Sequence, residues 1–240
     1  ETLFLALFAK DASESRGRAM NAIMSAADFN VMGMPGAVGS GGLHACGVAE
    51  TIKADPARPI VYCSVGDGTS QQGEMLEAIL TSAARELPVL WVVQDNALAI
   101  STRTGGRTFF SLPSGEQDVF CGIPIQRIDG HDVIASVGRF GEVVAEMRQS
   151  RRPAIVVLRV ERLDSHSNAD DQSLYRSAEE SEDVRRTSDP VVLFEDRLVE
   201  LGVKREQLER IGTEVTEQIR KDALAAQRSP DPFATFHAKK

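Results

Sequence analysis

Ile60-Val61-Tyr62-Cys63-Ser64-Val65 runs without a break into Gly66-Asp67-Gly68, and after a further 26 positions, residues 69–94, comes Asp95-Asn96. The β-branched run over 60–65 reads as a buried strand, residues 73–87 as an amphipathic helix, and 89–94 as a second strand. A strand, a crossover helix and a strand imply a parallel pair. The same alternation returns downstream, with a short strand over 124–128, a helix over 132–149 capped by Asp132, and an Ile- and Val-rich strand over 154–160. Four strands with crossover helices predict an α/β fold with a doubly wound, mainly parallel sheet.

Working outward from that centre, residues 32–47 contain six glycines, Gly33, Gly36, Gly39, Gly41, Gly42 and Gly47, which reads as a turn-rich loop entering a helix of small residues. Leu3, Leu5, Leu7 and Phe8 have the look of the end of a buried helix that starts upstream, so the chain reads as a fragment lacking the N-terminal part of its domain. Beyond residue 160 the periodicity stops and 162–176 is a polar loop. An acidic run follows at 179–183. A helical pattern resumes at Pro190, with Val192, Phe194, Leu198 and Leu201 on one face and Gly202 as its stop, and a second helix is expected over about 204–226. The expected organisation is an α/β domain over 1–176 and a C-terminal helical extension of it over 177–240.

Composition narrows the function classes. Of the 240 residues, 27 are Lys or Arg and 35 are Asp or Glu, a net charge of -8, which argues against nucleic acid held through a basic face. Cys46, Cys63 and Cys121 are far apart in sequence, suggesting neither a zinc site nor a disulfide framework and pointing to a reducing compartment. Apolar runs such as 89–93 fall well short of the roughly 20 residues of a membrane span. Met20, Met24, Met32 and Met34 follow no fixed spacing and read as packing, and Arg148, Arg151 and Arg152 read as a solvated helix end.

In an open parallel sheet, ligands sit outside the carboxyl ends of the strands, so Gly66-Asp67-Gly68 and Asp95-Asn96 point into one crevice. The glycines let backbone amides approach an anion closely. Asp67 offers a carboxylate oxygen and Asn96 an amide oxygen, a donor pair that suits Mg²⁺ completed by phosphate and water. The pair asks for a diphosphate.

A lone Gly-Asp-Gly also closes ordinary tight turns, but here it is followed at a characteristic distance by Asn96. The string 66–74, G-D-G-T-S-Q-Q-G-E, resembles the alpha subunit of the thiamine diphosphate-dependent 2-oxoacid dehydrogenases, the first component of the pyruvate and branched-chain enzymes. The resemblance continues through Gln94-Asp95-Asn96-Ala97-Leu98-Ala99-Ile100-Ser101-Thr102, Ile128-Asp129-Gly130-His131-Asp132, Ser165-His166-Ser167-Asn168-Ala169-Asp170-Asp171, Tyr175-Arg176 and Ser188-Asp189-Pro190. It spans residues 3–236. Ala99-Ile100-Ser101-Thr102, Asp170-Asp171 and Tyr175-Arg176-Ser177 look closer to the branched-chain enzymes than to pyruvate dehydrogenase.

The resemblance implies that Asp67, Asn96 and the backbone carbonyl of Leu98 hold Mg²⁺, that the amides of Gly68 and Thr69 meet the diphosphate, and that Met34 and Gly36 cradle the aminopyrimidine. It makes His166 the active-site histidine and sets Arg162 and Arg176 where arginines hold the loop and its anionic ligands. The other histidines have plainer readings: His44 packed or capping on a small-residue helix, His131 in a turn, His237 in the tail. Two departures stand out. Asp95 replaces the first Asn of the family's usual pair and adds a negative charge, and the family's upstream Tyr-Arg pair has no counterpart.

The implied reaction is oxidative decarboxylation of a small 2-oxoacid with acyl transfer to a lipoyl group on an acyltransferase component. Its activating glutamate comes from a beta subunit or a fused beta-like half. Neither nucleic acid nor membrane is expected as a partner. The implied compartment is the cytoplasm for a bacterial protein and the mitochondrial matrix for a eukaryotic one. Two rivals remain: an acetoin dehydrogenase alpha subunit, with the same anchor and a different substrate pocket, and a non-catalytic subunit that keeps the fold for assembly.

Overall fold

Val89, Leu90, Trp91, Val92 and Val93 are apolar at every position, and each is at most 1% exposed, which a strand achieves only when both faces of its sheet are covered. The computed structural model describes residues 1–20, 23–33 and 35–232. They form two compact units, one made of 1–37 with 199–240 and the other of 38–198. The division falls at 37/38 and 198/199, whereas the sequence suggested a boundary at 176.

In the first unit, α1 (Thr2–Leu7) lies against the much later α7 (Arg205–Arg228). The Glu1 amino group meets Asp222 at 3.3 Å, and Lys10 Nζ donates to Asp231 at 2.6 Å. The apolar residues of α1 are less enclosed than their pattern suggested, since none is buried and Leu3 and Phe8 are exposed.

The second unit carries the sheet. Helix α2 (Gly41–Ile52) precedes β1 (Val61–Gly66), α3 (Gly73–Ala84) and β2 (Val89–Asp95). Two short hairpins follow: β3 (Leu98–Ala99) with β4 (Thr102–Arg103), then β5 (Ser111–Leu112) with β6 (Gly115–Glu116). Next come β7 (Val119–Phe120), β8 (Ile123–Asp129), α4 (Val133–Ser150) and β9 (Ala154–Arg159). The main sheet has the order β1-β2-β9-β8-β7, parallel except for β7. Cys121 and Gly122, both at positive φ, make the tight turn that returns β7 into β8. The expected doubly wound, mainly parallel α/β fold is therefore present, with the antiparallel edge strand as an addition.

Chain order explains why the helices divide between two faces. β1 to β2 steps one way across the sheet through α3, and β8 to β9 steps back through α4, so two right-handed crossovers put the two helices on opposite sides. Val89, Trp91 and Val93 pack with Met75, Ile79 and Ala49 of α3 and α2, while Leu90 and Val92 pack with Val143 and Met147 of α4. Gly42 lets α2 lie close on α3: a Cβ there would sit 2.9 Å from Met75 Sδ and 3.0 Å from Ala78 Cβ.

Local chemistry fixes the ends. Asp132 caps α4 by accepting the Ala135 N–H. Arg151, read from the sequence as solvated, instead donates from its guanidinium to the carbonyls of Ile52, Lys53 and Pro59 at 3.0, 3.3 and 2.7 Å. The acidic run lies in a helix the sequence reading left unassigned, α5 (Ala178–Ser188), whose Ser177 cap accepts the Glu180 N–H. Ser177 followed three residues later by Glu180 is the signal that would have found it. Helix α6 (Pro190–Glu200) begins at its proline as expected. Among the described residues, no helix is long and apolar enough to cross a membrane.

Trp91 is fully buried, and its indole N–H donates to Ser82 Oγ at 2.9 Å while Ser82 donates to the Ile79 carbonyl at 2.7 Å. Replacing Ser82 by Ala leaves that N–H without an acceptor in the core, a loss of about 1–3 kcal/mol. Urea unfolding of Ser82→Ala is expected to show this as a lower midpoint with an unchanged slope.

Candidate active site

β1 and β2 pair in register, Val65 opposite Val93 and Gly66 opposite Gln94, so the chain leaves both strands at one edge and Asp67 emerges beside Asp95 and Asn96. The Asp67 side chain is buried, with the residue 3% exposed. Its Oδ2 accepts the Thr104 hydroxyl at 2.6 Å, its Oδ1 accepts the Gly68 N–H at 3.0 Å, and its backbone carbonyl accepts Ser70 Oγ at 2.7 Å. All of these donors are neutral. Among the described residues no cation pairs with this carboxylate.

Asp95 Oδ1 accepts the Ala97 N–H and Asn96 Oδ1 accepts the Leu98 N–H, both at 3.0 Å. These consecutive Asx turns wind 95–98 into a tight reversal, with Ala97 at φ +59°. Burial pushes the Asp95 carboxyl up from its ordinary value; the Ala97 N–H opposes the rise and the Asp67 carboxylate against it adds to it. Two carboxyl groups side by side in partial burial repel, and a hard divalent cation relieves both the repulsion and the desolvation. The oxygen donors present, Asp67, Asn96 and the Leu98 carbonyl, therefore fit such an ion in type.

Gly68 has a structural reason of its own. A Cβ at this position would lie 2.7 Å from Ala99 Cβ, so the glycine is where the β3–β4 hairpin closes over the Gly-Asp-Gly turn. Its N–H, expected to face an anion, here donates to Asp67. Thr69 is half-buried and opens the short helical turn Thr69–Gln71 that leads into α3. Beside these residues, at the carboxyl ends of β2, β9 and β8, lies a cavity of about 280 Å³ lined by Asp95, Thr104, Phe110, Arg127, Asp129 and Arg159 among others.

His166 is exposed in the loop that follows β9. Its backbone N–H donates to Asp170 Oδ2 at 2.7 Å, and the same oxygen accepts the Tyr175 hydroxyl at 2.5 Å. These two donors, Tyr175 first, hold the Asp170 carboxyl below the usual carboxylate range. Arg162 donates to Tyr175 Oη at 2.7 Å and to the Ile100 carbonyl at 2.9 Å, and its Nε is buried without an acceptor. Nη1 thus ties the histidine loop to the β3–β4 hairpin, and Nη2 braces the loop internally. Arg176 is buried too, donating to the Arg162 carbonyl at 2.6 Å with Glu180 and Glu161 at 3.6 and 3.8 Å.

The structure thus brings Asp67, Gly68, Thr69, Asn96 and Leu98 together, and Arg162 joins the His166 loop to their hairpin. Gly36 belongs to the other compact unit, in a turn beside Met20, and Met34 lies outside the described residues, as does His237. His44 is exposed on α2 rather than packed, and His131 is in its expected turn, with Nδ1 2.7 Å from Asp129. Sequence reasoning missed Thr104, which lies in a stretch with no motif and meets Asp67 only through folding.

The family description that matches is Dehydrogenase E1 component, over residues 1–234. The chain belongs to this family. It is 30% identical over 227 residues to the alpha subunit of acetoin:2,6-dichlorophenolindophenol oxidoreductase from Cupriavidus necator, covering 94% of this chain and 68% of that one. To the human testis-specific alpha subunit of the pyruvate dehydrogenase E1 component it is 30% identical over 204 residues, 85% of this chain and 52% of the relative. The chain thus spans about two thirds of the first relative and half of the second. A solved Mycobacterium smegmatis structure assigned to a thiamin diphosphate-dependent enzyme overlaps 53% of this chain at 20% identity with a TM-score of 0.37, too little to carry an argument.

In this E1 component chain, Gly68 sits at φ -64° and ψ -45°, which alanine adopts freely, so only the contact with Ala99 opposes substitution. Gly68→Ala is expected to cost about 1–3 kcal/mol through overpacking, measured by denaturant unfolding; a gain in stability would mean that the hairpin yields.

Proposed function

We propose that this chain is the alpha component of a 2-oxoacid dehydrogenase and binds thiamine diphosphate through Mg²⁺ at Asp67, Asn96 and the Leu98 carbonyl. The observation that carries the reading is the buried, cation-free Asp67 carboxylate facing Asp95 and the Asx-turn reversal at the carboxyl ends of adjacent parallel strands. When bound, thiamine diphosphate supplies an electron sink for the charge left by decarboxylation of the 2-oxoacid. The rest falls to the protein. The amides of Gly68 and Thr69 are assigned to the diphosphate, the former by exchanging its contact with Asp67. Met34 and Gly36 are assigned to the aminopyrimidine. Arg162 serves first as the strap between the His166 loop and the hairpin, and direct contact with the cofactor would require it to exchange one of those bonds.

His166 is assigned to the acyl-transfer step, giving or taking a proton as the acyl group passes to the lipoyl disulfide of an acyltransferase partner. A beta subunit or fused beta-like half supplies the glutamate that activates the aminopyrimidine, so activity belongs to the assembly. The compartment is the bacterial cytoplasm or the mitochondrial matrix according to source. A second reading, an acetoin dehydrogenase alpha subunit, draws support from the Cupriavidus necator relative, whose likeness extends over 94% of this chain. A substrate screen of the assembled enzyme with pyruvate, branched-chain 2-oxoacids and acetoin separates the two.

Calorimetric titration of the assembled enzyme with thiamine diphosphate, with and without Mg²⁺, tests the anchor. Asp67→Ala is expected to weaken binding by at least about 100-fold, the upper end of what outer-shell partners alone contribute; unchanged affinity would remove Asp67 from the anchor, and a wild-type enzyme that binds nothing would favour an assembly-only subunit. His166→Ala is expected to slow lipoyl-dependent turnover by roughly 10²–10⁴ with little change in cofactor affinity. Full activity in that variant would make His166 an ordinary loop residue.

A further inference from the structure

Thr104 is 7% exposed and makes two contacts that join parts of the site far apart in sequence. Its hydroxyl donates to Asp67 Oδ2 at 2.6 Å, and its backbone N–H donates at 3.2 Å to the carbonyl of Ala97, the residue between Asn96 and Leu98. One residue thus holds both the carboxylate that follows β1 and the reversal that follows β2. We infer that Thr104 is a positioning residue for the metal anchor, its hydroxyl fixing which face of the Asp67 carboxylate is presented to the ion.

The argument is one of lone pairs. A carboxylate with free rotation offers either oxygen in several orientations, and a small octahedral ion tolerates little misplacement of its ligands. Thr104 Oγ1 occupies a site on Oδ2, and Gly68 N–H occupies one on Oδ1 only until a diphosphate oxygen takes that donor, so in the loaded site Thr104 is the side-chain donor that sets the carboxylate plane. The Oδ2 bond is the stronger constraint, being short and buried. Hydrogen bonds to ligating carboxylates orient them and typically carry about 10–100-fold in metal affinity. Because the Thr104 N–H also holds the Ala97 carbonyl, a movement of the 102–104 segment would displace Asp67 and the Asn96–Leu98 reversal together. Thr104 also lines the cavity of about 280 Å³ beside the anchor.

The inference rests on the Mg²⁺-thiamine diphosphate reading, and the test keeps the two apart. Mg²⁺ is titrated by calorimetry into the assembled enzyme at saturating thiamine diphosphate, for wild type, Thr104→Val, which keeps the shape and loses the hydroxyl, and Thr104→Ser, which keeps the hydroxyl. The expected result is an Mg²⁺ affinity about 10–100-fold weaker in Thr104→Val and within about threefold of wild type in Thr104→Ser. Wild-type affinity in Thr104→Val, or an equal loss in Thr104→Ser, would overturn the positioning role. If Thr104→Val does not fold, Thr104→Ala takes its place under the same criteria. A wild-type enzyme without Mg²⁺-dependent binding would instead overturn the cofactor reading, and the role of Thr104 with it.

Discussion

The parallel pairing of β1 with β2 is the constraint on which everything else in the site depends. Parallel strands point their carboxyl ends the same way, and the register that sets Gly66 opposite Gln94 delivers Asp67 and Asp95-Asn96 to one edge with no further instruction. An antiparallel pairing would send them to opposite ends of the sheet. The pairing in turn needs β2 to be apolar on both sides, because α2 and α3 cover one face and α4 the other. The core that stabilises the unit is therefore the same device that assembles the polar edge.

At that edge the protein places more negative charge than its own cations neutralise. Asp67 is buried with neutral donors only, and Asp95 is pushed toward its protonated form by burial and by Asp67 beside it. Burying an uncompensated carboxylate is costly, and a fold keeps such an arrangement where a ligand supplies the missing charge. Arg159, at the end of β9, draws the Asp95 carboxyl the other way but makes no ion pair with it among the described residues. Asp95 stands where the resemblance leads one to expect an Asn, and it adds a second carboxyl to this edge.

Arginine side chains stitch the loops of the site to the sheet. Arg127 of β8 donates to the carbonyls of Phe110 and Gln117 at 3.1 and 2.9 Å and pairs with Glu116 and Asp118, which holds the 104–118 segment over the cavity. Arg162 and Arg176 do the same for the histidine loop, and Arg103 on the hairpin meets Glu180 of α5 at 3.0 Å. Backbone carbonyls and carboxylates share these contacts. A planar, multi-donor group suits that task, since it satisfies several loop carbonyls at once where no regular ladder exists.

Much was legible in the sequence because local patterning decides it. The apolar run over 89–93, the Gly-Asp-Gly turn, the Asp132 cap and the proline opening α6 each act within a few residues, so the strands, helices and strand ends could be read without coordinates, and the sheet with them. Local rules also held the Ser177 and Glu180 cap of α5, although an acidic run hid it. What lay beyond the sequence was every contact between segments distant along the chain: Thr104 on Asp67, Ala99 against Gly68, Arg162 on the hairpin, Arg151 on the end of α2. Those contacts depend on how hairpins and loops fold back over the sheet, and no short-range periodicity records it. The sequence singled out Asp67 and Asn96 as candidates, and only the tertiary structure decided which contacts hold each of them in place.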